Sequence, residues 1–93
     1  MINQHTPCPE GMPESTFDSL KLYVLHGLPC GDFLTAVLSN DLMEAVARAD
    51  DRNMRGLRRL CQFVYCDVPP ACWGSAEQVD AWIECRGLKG AVA

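Results

Sequence analysis

Apolar side chains recur at three- and four-residue steps along most of this chain, and residues that start or stop helices bracket each run. Phe17, Leu20, Val24 and Leu25 share one face of a helix beginning near Ser15, with Tyr23 at its edge. Gly27 supplies the left-handed position that commonly ends a helix, and Pro29 prevents continuation. A second helix is predicted from Asp32, whose carboxylate suits a cap. Its Phe33, Leu34, Ala36, Val37 and Leu38 are apolar almost all round, which marks a central, buried helix. Asp41, with Glu44 three residues on, forms a capping-box pattern that opens a third helix, lined by Leu42, Ala45, Val46 and Ala49.

Asp50 or Asp51 caps a fourth helix reaching about Cys66. Met54, Leu57, Leu60, Cys61, Val64 and Tyr65 fall on one arc, extended by Phe63, with Arg52, Arg55, Arg58, Arg59 and Gln62 opposite. Gly56 costs this helix about 1 kcal/mol against alanine, so it marks either a tight contact or a flexible point. The third and fourth helices can also be read as one bent rod. Pro69-Pro70 breaks the chain, and Ser75 with Gln78 caps a last helix whose inner face is Ala76, Val79, Trp82 and Ile83, stopped by Gly87. The prediction is an all-α fold: a compact bundle of four to five short helices forming a single domain over residues 15–87. A flexible, proline-rich arm (1–14) precedes it and a frayed tail (88–93) follows.

Composition narrows the functions open to such a bundle. The 93 residues leave room for one domain. A net charge of −4 and a pI near 4.9 disfavour a general nucleic-acid binder. No apolar run is long enough for a membrane span, so no membrane association is expected. The stretch Met1–Cys8 shows no charged-then-apolar secretion pattern, so the six cysteines are expected to be reduced thiols.

The candidate chemistry is sparse. Cys61 and Cys66, five apart, point in nearly opposite directions on a helix, and no histidine stands at a zinc spacing from a cysteine. The cysteines therefore read as packing residues and no metal is expected. Cys30 near a helix start, with His26 four residues earlier, is the one arrangement that suggests a nucleophile, but so small a bundle offers little concavity. No catalytic residue and no cofactor are assigned, and the chain is not expected to be an enzyme. Asp41 with Glu44, and Asp50-Asp51, read as helix-start carboxylates.

The main surface feature is a row of guanidinium groups. Arg52, Arg55 and Arg59 lie about one turn apart, Arg58 sits beside them and Arg48 extends the line; such arrays suit carboxylates or phosphates. These five are the candidate partner-binding residues. An acidic protein surface is the first-ranked target and nucleic acid the second; the competing reading is a solvated outer face. Trp73, ahead of Gly74-Ser75, is expected to staple back onto Val79 and is also a candidate interface anchor. A homodimer through an exposed Tyr23 or Trp73 is a further option.

The string from Pro29 to Leu42, with Ala45 to Asp50 and Ala71-Cys72-Trp73-Gly74-Ser75, resembles a group of small, largely uncharacterised proteins encoded by bacteriophages and prophages of proteobacteria. The likeness spans about residues 22–84, and its most specific parts are Leu38-Ser39-Asn40-Asp41-Leu42 and Cys72-Trp73-Gly74-Ser75. This chain has Pro29-Cys30-Gly31-Asp32 where relatives have a proline-proline-glycine-serine start, and it is richer in cysteine. The resemblance brings no catalytic residues. It implies a phage origin, the cytoplasm of the bacterial host, and an accessory role: binding and inhibiting or redirecting a host protein, such as a defence complex in the anti-CRISPR manner.

Overall fold

The computed structural model describes residues 2–88. Five α-helices follow one another: α1 (Glu14–His26), α2 (Gly31–Leu38), α3 (Leu42–Arg48), α4 (Asp51–Asp67) and α5 (Ala76–Glu84), with a 3-10 turn at Pro70–Cys72 before the last. Among the described residues there is no strand, so the fold is all-α. The Cα radius of gyration, 12.1 Å, is what one compact globule of this length gives, about 12 Å.

Most helix ends use the chemistry the sequence suggests. Gly27 adopts φ 67° and its N–H donates to the Tyr23 carbonyl at 2.8 Å, closing α1. Asp41 accepts from the Glu44 amide at 3.3 Å, Asp50 from the Asn53 amide at 2.8 Å, and Ser75 from the Gln78 amide at 3.2 Å. The extended backbone at Ala49 and Asp50 makes α3 and α4 separate helices, not one bent rod. Asp32 is a correction. α2 starts one residue earlier, at Gly31, and Asp32 makes no cap bond; its carboxylate lies 3.6 Å from Arg48 on α3 instead. At the end of α5 the left-handed turn begins at Arg86 (φ 66°), one residue before the predicted Gly87. Gly87 is left-handed as well (φ 73°), and it also permits a close approach: a Cβ there would lie 2.5 Å from the Gly27 nitrogen.

The core is centred on α1. Phe17, Leu20, Tyr23 and Val24 are almost fully buried and meet Leu38, Leu60, Phe63, Val79 and Trp82 from the other helices. Burial of each such side chain contributes roughly 1.5–3 kcal/mol. The buried polar ends are satisfied. The Tyr23 hydroxyl donates to the Cys72 carbonyl at 2.7 Å, and the Trp82 indole donates to the carbonyls of Tyr23 and Val24 at 3.0 and 3.2 Å. Tyr23 therefore ties α1 to the 3-10 turn and is not an exposed dimer contact.

The segment expected to be a loose arm lies against the bundle. Ile2 and Met12 are in the core, at 3% and 6% exposure. The Ile2 amide donates to the Asp67 carbonyl at 3.3 Å, and Lys21 holds the carbonyls of Gln4 and Thr6. At its other end the segment crosses α4 at Gly56, where a Cβ would stand 2.7 Å from the Gly11 carbonyl oxygen and 3.0 Å from Pro13. Gly56 is thus a tight contact. Prolines and small residues hid this because the segment packs without any helical period of its own. Of the predicted tail, Leu88 is half-buried against the core, and 89–93 lie outside the described residues.

Candidate partner-binding surface

Docking the N-terminal segment on one flank of α4 shifts the helix's buried arc. The inward residues are Gly56, Leu60, Phe63 and Val64, with Leu57 half-buried. Three members of the predicted apolar arc are left outside: Met54 is 43% exposed, Tyr65 is 77% exposed and Cys61 is exposed. At 100° per residue, Met54, Cys61 and Tyr65 form a stripe on the flank facing away from the N-terminal segment. Arg58 borders that stripe, Arg55 comes next, and Arg59 and Arg52 complete the turn towards Gly56.

The arginines fall into two groups. Arg48 does not join the row: it is on α3, where its Nε donates to Glu44 at 2.7 Å and Asp32 stands 3.6 Å away. The bond and charge of Glu44, then the charge of Asp32, raise its pKa. The four arginines of α4 have no carboxylate within ion-pair distance among the described residues, since both ion pairs there belong to Arg48. Arg59 donates to the Gln62 side chain at 3.4 Å and lays its stem beside Gly11, leaving it half-buried. Arg52, Arg55 and Arg58 are exposed. The run 52–66 thus carries four arginines and no acidic residue in a chain of net charge −4. A local cationic ridge stands on an acidic molecule.

Beside this ridge lies a groove of about 550 Å³, walled by Val37 and Asn40 from α2 and its exit, Cys61, Gln62, Val64 and Tyr65 from α4, and Trp73. It continues into a notch of about 60 Å³ between Leu42, Ala45 and Leu57. The strings Leu38–Leu42 and Cys72–Ser75 meet here: the Gly74 N–H donates to the Leu38 carbonyl at 2.7 Å. Asn40 takes the left-handed conformation (φ 61°) that turns the chain from α2 into α3 and leaves its side chain on the groove wall. Trp73 faces α4, its ring meeting Tyr65 edge-on at 6.1 Å. Its indole nitrogen is buried and has no hydrogen-bond partner among the described residues. Trp73 is the only groove residue the sequence singles out as an anchor; the others come from two further segments, and no local pattern encodes the juxtaposition.

The thiols are all free. Burial pushes the Cys30 thiol above its ordinary value, outweighing the lowering by its Thr35 contact. Cys72 is fully buried, donates to the Pro69 carbonyl at 3.0 Å and is pushed up to about 12 by desolvation. Partial desolvation of the sulfur, at an otherwise exposed residue, raises Cys61, and burial raises Cys8. Cys30 lines a shallow polar cleft of about 240 Å³ with Ser15, Thr16, Ser19, Asp32 and Asn53, and no histidine or lysine lines it. Those groups can donate and accept hydrogen bonds; Asp32 is the one carboxylate lining the cleft, beside a thiol that burial holds in its protonated form. Among the described residues no three His, Cys, Asp or Glu side chains converge as metal ligands would. No described helix is long and apolar enough to cross a membrane.

Compared with family models, curated proteins and solved structures, the chain matches none.

Proposed function

We propose that this is a phage-encoded, non-catalytic binding protein that acts in the host cytoplasm by docking α4 on an acidic surface of a host protein, which it inhibits or redirects. A defence complex, countered in the anti-CRISPR manner, is the target class this reading puts first. The observation that carries it is the ridge of Arg52, Arg55, Arg58 and Arg59, which have no carboxylate partner among the described residues although the molecule is acidic overall. Guanidinium groups left unpaired in this way keep their capacity for bidentate carboxylate contacts. The likeness of Leu38–Leu42 and Cys72–Ser75 to phage proteins supports the host-directed part of the reading.

The test is affinity capture from host lysate with the wild-type chain and with Arg52, Arg55 and Arg58 all changed to Glu. The wild type returns one stoichiometric partner, and the reversed variant, folded by circular dichroism, loses it. Capture that is unaffected by charge reversal overturns the arginine docking. A gel shift with the same two proteins checks the alternative of a small nucleic-acid-binding regulator: binding that weakens steeply with salt moves the arginines from a protein to phosphates.

A further inference from the structure

We infer that the groove between the α2–α3 turn and α4 receives the apolar face of a partner's amphipathic helix, and that the flank of this helix facing the α4 arginines is acidic. The inference rests on the protein-binding reading and names the chemistry of the bound segment. Exposed apolar side chains line both parts of the site: Leu42 stands in the notch, and Tyr65 with Trp73 in the groove; Leu42 and Tyr65 are 63% and 77% exposed. From Met54 to Tyr65 the α4 axis rises about 16 Å, the length of three helical turns. A guest helix of that length presents anchors at i, i+4, i+7 and i+11.

Charge complementarity fixes the guest's polarity. On the helical wheel of α4, Arg58 and Arg55 border the groove on one side without carboxylate partners among the described residues, while Asp41, in the notch wall across from them, caps α3. Acidic residues on the guest's flank towards α4 meet the free guanidinium groups; basic ones on that flank meet repulsion. A helix suits the site better than a strand. The groove is walled by side chains and the described residues include no sheet edge, so a strand's backbone groups would enter it unpaired, whereas a helix satisfies its own. A second copy of the chain is a poor guest. Its most acidic helix, α5, aligns Glu77, Asp80 and Glu84 outward, but that face offers no apolar side chain larger than Ala81.

The experiment is a titration of ¹⁵N-labelled protein with three synthetic helical peptides. The first has leucine and phenylalanine anchors flanked by glutamate, the second replaces glutamate by lysine, and the third keeps glutamate but replaces the anchors by serine. The first is expected to shift the amides of Asn40, Leu42, Cys61, Tyr65 and Trp73 and to saturate. The lysine and serine versions bind at least tenfold more weakly, and Tyr65→Ser weakens the first peptide at least tenfold. No shift in the groove at millimolar peptide, equal binding of the lysine version, or shifts confined to Arg52–Arg59 overturns the inference. If charge reversal still abolishes capture of the host protein, the docking function survives that failure. Concentration-dependent dimerisation that Tyr65→Ser abolishes also overturns it, by giving the groove to a second copy.

Discussion

The two flanks of α4 are built from similar apolar residues and have opposite fates. On one, the N-terminal segment lies across Gly56 and is anchored by Ile2 and Met12, so the chain covers its own helix. On the other, Met54, Cys61 and Tyr65 stay uncovered beside the groove, although their period matches that of residues in the core. A helical period shows which positions are apolar, but not whether the same chain or another molecule covers them. The difference between the flanks is decided by twelve residues, Ile2–Pro13, with no period at all, and the flank they leave bare is the one bordered by arginines without carboxylate partners.

The covered flank is the place to look for the largest effect. Gly56→Val puts a branched side chain where even a Cβ would stand 2.7 Å from the Gly11 carbonyl. Overpacking at the segment's crossing point outweighs the gain in helix propensity over glycine, and we expect a loss of about 3 kcal/mol in urea unfolding. An unchanged or raised midpoint means the segment does not bear on α4, and the contrast between the flanks disappears.

A smaller effect separates covered from uncovered groups by pH. Cys72 is buried and its thiol is raised to about 12; Tyr23, which donates to the Cys72 carbonyl, is also raised, chiefly by desolvation. For an acid whose folded pKa exceeds its unfolded value, the unfolded chain releases its proton first. The stability is therefore fully present below the ordinary thiol value and is lost as pH rises towards the folded one. Unfolding free energy should be flat to about pH 8 and fall by about 1 kcal/mol by pH 10. A Cys72→Ala variant removes one contributor and flattens the fall; an identical curve excludes Cys72 as a source.

How much of this was legible in the sequence follows the range of the interactions. Caps at Asp41 and Ser75, and the stop at Gly27, act within four residues, and the sequence names each of them; for α4 it leaves Asp50 and Asp51 as alternatives, of which Asp50 is the cap. The α4 arginines were legible for the same reason, as a periodic row. Asp32 was misplaced because cap propensity is local while its partner, Arg48, comes from the next helix. Tyr65 was placed inside because it continues an apolar arc, and only the docking of Ile2–Pro13 shows that the arc is wider than the core it covers. The groove joins α2, α4 and the turn before α5, so its residues reveal nothing until the chain is folded.

The smallest stability effect is the sharpest test of the open flank. Tyr65 is 77% exposed and its ring meets that of Trp73, itself only half-buried. Surface substitutions away from buried networks usually change stability by less than about 0.5 kcal/mol, so Tyr65→Ser should leave the urea midpoint within that margin. A core tyrosine replaced by serine loses a large buried ring and several times as much. If Tyr65→Ser does destabilise the protein by 2 kcal/mol or more, the ring is buried in solution and the two flanks of α4 are both covered. If stability holds, the protein keeps an aromatic side chain in water that its own folding does not use, which is the condition the proposed groove contact requires.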